Sequence, residues 1–372
     1  MFRGEIQIMI GIKIGKVIEI LKENENNSEL LINLQGKTFK AMNYNKLTGK
    51  VKMGDTLLLN TTAVDLNLGT GGYHFVISNL DSPLQDVTGE GHIMKLRYSP
   101  YQLKVFSAEE QESPYHELFN NFKTLDGMPI VIGSLHSMIF PFVKVLKSLN
   151  STLKIAYIMT DGAALPIDFS NTVRELKDRG ELVGTVTIGN AFGGDLECVN
   201  IYNGIIAAKE ILKCDLAIVT MGPGIAGTGT KYGFSGIEQG HIIDATNDLG
   251  GTPIAIPRIS FADSRPRHWG ISHHTITVLS TICKSEATLG IPMYNDEAKT
   301  HHILQQIKES GIDRKHKCIF VDKAEIQGIT KILEQFKPKM STMGRKYEND
   351  KEFFIAAGVS GCLAVSVLSA LQ

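Results

Sequence analysis

Two patterns of hydrophobic and polar positions divide the chain. Up to about residue 80 the apolar residues come in short runs with partial alternation: GKVIEILKE, SELLINLQG, KTFKAMNYN, GDTLLLNTTAV and YHFVISNL. Turn signals at Glu25-Asn26-Asn27, Gln35-Gly36 and Gly54-Asp55 separate them. Alternating runs between such turns predict β-strands, and five short strands predict a small barrel of the OB or SH3 kind. From Asp126 the strand candidates MPIVIGSL, LKIAYIMT, LVGTVTIG, DLAIVTMG, TPIAIPRIS and EATLGIPM are almost continuously apolar. Between them lie the helical segments FPFVKVLKSL, FSNTVRELKDRG, ECVNIYNGIIAAKEIL, GIEQGHIIDATNDLG and SHHTITVLSTI. Strands that are apolar on both faces and alternate with helices predict βαβ units and a mostly parallel, Rossmann-like sheet. KCIFVD, flanked by two further helices, extends the same pattern. The expected class is therefore α/β, with a small barrel-like domain over residues 1–88, a connector over 89–125 and a Rossmann-like domain over 126–372.

Composition adds mainly exclusions. With 43% hydrophobic and 21% charged residues and a net charge of −1, the chain has no global attraction for nucleic acid or anionic membrane. Its first 80 residues hold nine Lys/Arg against seven Asp/Glu, and Phe39, Tyr44, Tyr73 and Phe75 are not clustered. An oligonucleotide groove is usually more basic and more aromatic, so an RNA-associated role for the barrel has little support. A domain that packs on a neighbour, or on a second copy in a homo-oligomer, is the plainer expectation. Within it, LGTGGYHF (Leu68 to Phe75) holds more glycine than a hairpin needs, which suits a tight barrel corner or a backbone approached by a ligand.

The five cysteines are widely spread, with no C-x-x-C pair, which predicts free thiols in a reducing compartment and hence a cytoplasmic protein. Glu5, Lys13 and Lys16 interrupt the apolar N-terminus, and no secretory signal is expected. Phe353 to Gln372 is uncharged and long enough to span a bilayer. Its glycines and serines, and the absence of a flanking basic cluster, predict a terminal helix packed in an α/β layer and no membrane association.

Candidate chemistry collects where the strands end. In an open parallel sheet, ligands bind beyond the carboxyl ends of the strands. The strand candidates lead into His136 and Ser137, into Thr160 and Asp161, into Asn190 to Asp195, into a glycine-rich loop, and into Ser260 to His268 with His273 and His274 close behind. The loop carries Gly222, Gly224, Gly227, Thr228 and Gly229, and Ser235 stands as an N-cap for the helix after it. Such a loop is expected to form an anion nest from backbone N–H groups. Gly222 to Gly227 has the spacing G-x-G-x-x-G, but the loop continues through Gly233, and the acidic residue some twenty positions on, Asp244, falls inside a helix. NAD or flavin is thus poorly supported. Thr228 stands where a phosphate-binding P-loop has lysine, and Ile237 breaks the serine-hydrolase elbow.

Arg265 and Arg267, with Arg258, supply guanidinium groups for a phosphate or carboxylate. Asp161, Asp195, Asp263 and His274 are the candidate acid–base groups. A divalent metal is a candidate cofactor, with His136, Asp161, Asp195, His268 and His273 as ligands. Adjacent His273 and His274 diverge by about 100° on a regular helix, so only one of them is expected in such a set. Asp161 and Ser272 also read as helix caps, and Lys95 and Arg97, on one face of a strand, could steer an anion.

The runs LLLNTTAVDLNLGTGGYHFV, EEQESPYH, LDGMPIVI, AYIMTDGAALP, GTVTIGNAFGGD, MGPGIAGTGTKYGFSG and RISFADSRPRHWGISHHT together resemble an uncharacterised bacterial protein family, a domain of unknown function. The resemblance implies a bacterial, cytoplasmic protein and brings no activity or catalytic residues with it. From the residues, the preferred expectation is an enzyme acting on a small anionic substrate, a class that includes phosphorylated ones. The alternative is a ligand-binding or sensing module without catalysis.

Overall fold

The structure, a computed structural model, describes residues 8–69 and 71–371; Glu5, Thr70 and Gln372 lie outside them. The chain forms two compact units that divide between Glu90 and Gly91. The first is a closed barrel of β1 (Ile12–Glu23), β2 (Asn27–Leu34), β3 (Lys37–Tyr44), β4 (Thr56–Asn60) and β5 (Tyr73–Asn79), in the order β1-β2-β3-β5-β4. All pairings are antiparallel except β3 with β5. Closure removes the sheet edges, and inward residues such as Val17, Leu30, Ile32, Leu57 and Leu59 fill the interior. This is the small five-stranded barrel that the alternating pattern predicts. Gly71 and Gly72, with positive φ, make the bend before β5.

The second unit opens with a hairpin of β6 (Ile93–Lys95) and β7 (Leu103–Val105), so the segment expected as a connector belongs to it. Its sheet is built from β8 (Pro129–Ile132), β9 (Ile155–Thr160), β10 (Gly184–Thr187), β11 (Leu196–Glu197), β12 (Leu216–Met221) and β13 (Thr252–Ala255). A small ribbon, β14 (Ile259–Ser260) and β15 (Gly270–Ile271), precedes β16 (Thr288–Pro292) and β17 (Lys317–Val321). The order β11-β10-β9-β12-β8-β13-β16-β17 is parallel throughout. Every residue of β8, β9, β10 and β12 is buried, as near-continuous apolar runs require of strands covered on both faces.

The helices pack in two layers, one holding Ile139–Leu149, Lys323–Glu334 and Lys351–Leu371, the other Ile201–Glu210 and Glu238–Asp248. Lys351–Leu371 is long and apolar enough to cross a membrane, but most of it is buried in the first layer. A β-carbon on Gly358 would stand 2.9 Å from both Ile329 Cγ2 and Val145 Cγ2. Glycine there lets three helices approach closely, which accounts for the small residues in so apolar a segment.

The strand order creates a crevice. From β9 the chain proceeds to β10 on one side, whereas from β12 it proceeds to β13 on the other. With right-handed crossovers the two exits lie on opposite faces, so their carboxyl ends part around an opening.

Candidate functional site

β9, β12, β8 and β13 are consecutive neighbours, so the loops after them share one rim about 14 Å wide at ordinary strand spacing. They carry Asp161, the glycine loop, His136 and the Arg258–His274 segment. The loop from Gly222 leaves β12 tightly, because a β-carbon there would stand 2.2 Å from the Ala164 carbonyl oxygen. It then folds into a tongue, closed where Gly227 bridges Phe234. The N–H groups of Ala226, Thr228, Gly233 and Ser235 bond within the tongue. Thr228 Oγ1 meets Thr230 Oγ1 and donates to the Gly233 carbonyl. Those donors are therefore turned inward. Ser235 is not a helix cap: its Oγ accepts from Ala226 N at 3.1 Å and staples the tongue's base, and the helix begins at Glu238. Gly224 has φ +103° and faces open space.

The tongue lies against the segment that follows β13. The guanidinium of Arg267 reaches Gly229, its Nη2 3.5 Å from where a β-carbon would stand, and the His274 ring lies in the same relation to Gly227 at 3.7 Å. Phe234 stacks on His274 with ring centres 3.9 Å apart. His268, on the turn Pro266–His268, meets His273 and His274 with centroid separations of 4.9 and 5.0 Å. One ligand atom from each of the three imidazoles falls within 4.8 Å of the others. The expected divergence of the adjacent pair does not keep them apart. Their β-carbons diverge, but long imidazoles on the first turn of a short helix fold toward His268 arriving from the preceding turn.

Ser272 is the N-cap expected there: it accepts from His274 N at 3.3 Å, and it bonds His268 Nδ1 at 2.7 Å. His273 Nε2 and His274 Nδ1 are buried without a hydrogen-bond partner among the described residues. Burial, then the charges of Arg258 and Arg265, push His268 down to about 3. Burial, then His273 and Arg258, do the same to His274, and burial with Arg267 lowers His273. All three rings are neutral at pH 7.

Asp263, expected as an acid–base or metal group, is instead the anchor of an arginine cluster. It is buried, and it accepts from Arg265 Nε at 2.8 Å and Arg265 Nη2 at 2.7 Å. Arg258, itself buried, lies at 3.5 Å and Arg345 at 3.8 Å. Hydrogen bonds from Arg265 chiefly hold its carboxyl well below the usual range, which makes it a poor base. Arg345 also meets the buried Asp350 at 2.9 Å. Three guanidiniums thus face two carboxylates, and among the described residues no carboxylate pairs with Arg267.

The crevice between β9 and β12 holds a group that the sequence reading missed. Glu238 Oε1 accepts from Thr160 Oγ1 at 2.6 Å, and the carboxylate lies against Gly162. Burial pushes it up to about 7, opposed by the Thr160 hydrogen bond and reinforced by the charge of Asp161. Asp161 is not a helix cap: it accepts from Asn190 N at 2.8 Å across the rim. His136 is engaged at both nitrogens, Nε2 with Ser170 Oγ at 2.6 Å and Nδ1 with the Met221 carbonyl at 3.3 Å. That leaves it no lone pair for a metal. Burial lowers it to about 4.

Asp195 lies elsewhere. After β10 the chain doubles back so that β11 begins level with Val186, which returns Asp195 to the start of β10. There it accepts from Thr185 N at 2.8 Å and pairs with Lys177 at 2.5 Å. Although burial opposes it, Lys177 holds this carboxyl down. Lys95 is buried on Glu197 at 2.7 Å and steers nothing.

No curated protein and no solved structure matches the chain. A family model described as a protein of unknown function, DUF3866, matches residues 40–361 of the 372. The chain belongs to that family.

Proposed function

We propose that this protein is an enzyme acting on a small anionic substrate of the phosphate or carboxylate class, bound where the glycine tongue meets the Arg258–His274 segment. The observation that carries this reading is the charge imbalance. Among the described residues Arg267 stands exposed at Gly229 without a carboxylate partner, next to a largely buried cluster in which guanidiniums outnumber carboxylates. Uncompensated buried charge is costly, and an incoming anion supplies the missing partner. Arg267 is the flexible arm, Asp263 fixes Arg258 and Arg265, and Gly224 and Gly229 leave room at the tongue. Glu238, with a carboxyl that titrates near neutrality beside Asp161, supplies proton transfer at the rim. The free thiols of all five cysteines support a cytoplasmic setting.

The test is thermal unfolding with inorganic phosphate and a panel of phosphorylated and carboxylated metabolites, followed by turnover assays on the compounds that stabilise. A charge-assisted contact is worth about 1.5–3 kcal/mol, so Arg267→Ala should weaken binding at least tenfold without moving the unfolding temperature of the free protein. Saturable binding without turnover of any binder would make the protein a sensing module. Absence of any anion-dependent stabilisation would remove the reading altogether.

A further inference from the structure

We propose that His268, His273 and His274 form a binding site for a divalent transition metal of the zinc class, placed so that the anion of the proposed function meets a metal ion as well as Arg267. The inference rests on that function only for the identity of the anion; the metal site stands on its own geometry.

Three lines support it. The ligand atoms already converge to within 4.8 Å of one another. Imidazole nitrogens around a tetrahedral ion at 2.0–2.1 Å are about 3.3 Å apart, so modest side-chain rotations close the set. Secondly, His273 Nε2 and His274 Nδ1 are buried with no hydrogen-bond partner, and His274 is 6% exposed. Leaving a buried polar atom unsatisfied costs about 1–3 kcal/mol, and one ion would satisfy both. Thirdly, one nitrogen of His268 is engaged from outside, by a hydroxyl able to accept from it. Its Nδ1 is held by Ser272 Oγ at 2.7 Å, which leaves Nε2 as the donor atom, the arrangement by which a hydrogen-bonded neighbour orients a ligating imidazole.

Three imidazoles without a thiolate make the donor set of a catalytic ion, with a coordination position left for water or substrate, and differ from a closed structural site. The surrounding charge adds a consequence. Arg258 and Arg267 act on these rings and oppose a bare dication. An anion entering the remaining position relieves that repulsion, so metal and anion strengthen each other's binding by the same factor.

The experiment uses the full chain stripped with a chelator and titrated with Co(II) and with Zn(II) chloride, with and without inorganic phosphate. The expected result is stoichiometric uptake, visible ligand-field absorption from tetrahedral Co(II), and at least a fivefold gain in metal affinity with phosphate, the lower end of ordinary coupling. Ser272→Ala should lower metal affinity by about 10- to 100-fold, and His273→Gln should lower it further, with circular dichroism confirming a native fold for each. Failure of the wild-type chain to take up either ion stoichiometrically in the presence of phosphate overturns the inference, whatever the variants do. So does uptake that survives His268→Gln combined with His274→Gln, or that is lost on Glu112→Gln, which would move the ion to the His92, Glu110 and Glu112 group. Phosphate binding that depends on Arg267, in a chain that takes up neither ion, would leave the proposed function in place while ending this one.

Discussion

A buried and a half-buried carboxyl group on the same rim have been given opposite characters. Asp263 lies among Arg265, Arg258 and Arg345, and its carboxyl is driven well below the usual range. Glu238 sits in the crevice between β9 and β12 with a threonine hydroxyl for a partner and Asp161 for a neighbour, and its carboxyl rises to about 7. Burial raises both, and the surrounding charges decide the outcome. A carboxylate locked by arginines organises cations, whereas one without a cation can trade its proton near neutrality. Along the sequence Asp263 reads as the acid–base group and Glu238 as an ordinary acidic residue; in the proposed function their roles are exchanged.

The largest expected effect comes from breaking the clamp. Asp263→Ala leaves Arg258 buried without its ion-pair partner, and removing one partner of a buried ion pair typically costs about 3–5 kcal/mol. Urea unfolding at pH 7 should show a loss of that order, with anion binding lost alongside. The dependence on acid has a definite direction. The folded-state value of Asp263 is depressed, so its contribution is present above the unfolded value near 3.9 and is lost as pH falls below it. A fully stable Asp263→Ala protein that still binds phosphate would mean that the arginines are held by other contacts.

Glu238→Gln should move stability the other way. Below about pH 4.5 the folded and unfolded chains both hold the proton. As pH rises from there to about 7 the unfolded chain ionises, the folded chain resists, and wild-type stability is lost. Raising a carboxyl from 4.5 to about 7 corresponds to roughly 3 kcal/mol at most. The glutamine protein, which keeps an acceptor for Thr160, should therefore be the more stable of the two at pH 8 and no different at pH 4, while turnover falls. Equal stabilities at pH 8 would show that solvent or a cation already compensates Glu238.

What was legible in the sequence follows the physics of each part. Strands buried on both faces, such as IAYIMT and LAIVTM, leave an unbroken apolar record, and the barrel strands leave an alternating one. The glycine tongue, Arg267 and the three histidines were legible as residues because strand ends in a parallel sheet share a rim. Which strands are neighbours was not legible. Glu238 reads along the chain as an ordinary acidic residue opening a helix, and only the placement of β12 beside β9 brings it to Thr160. Its one local signal was its position directly after the tongue. Asp195 was misplaced for the converse reason: it follows a strand in sequence, but the pairing of β11 with β10 carries it back to the other end of the sheet.

A third substitution tests how the histidines are held. Ser272→Ala removes a helix cap and the partner of His268 Nδ1 together. Loss of the cap alone costs about 1 kcal/mol, to be read from the denaturation midpoint. The histidine group differs from the arginine cluster in having no charged anchor, so this loss should remain well below that of Asp263→Ala.

The smallest effect is expected at Asp195, which serves as the control for the whole rim. Its side chain is partly exposed, its pairing with Lys177 is a surface ion pair, and such pairs contribute about 0–1 kcal/mol. An amide at this position keeps an acceptor for Thr185, so Asp195→Asn should shift the midpoint barely and leave anion affinity, metal uptake and turnover unchanged. The outcome separates two accounts of the sheet. If chemistry is confined to the carboxyl ends of β9, β12, β8 and β13, a carboxylate at the start of β10 is invisible to every ligand assay. Should Asp195→Asn abolish turnover while Glu238→Gln does not, the reacting groups gather at the opposite end of the strands, and the contrast between Asp263 and Glu238 has no bearing on catalysis.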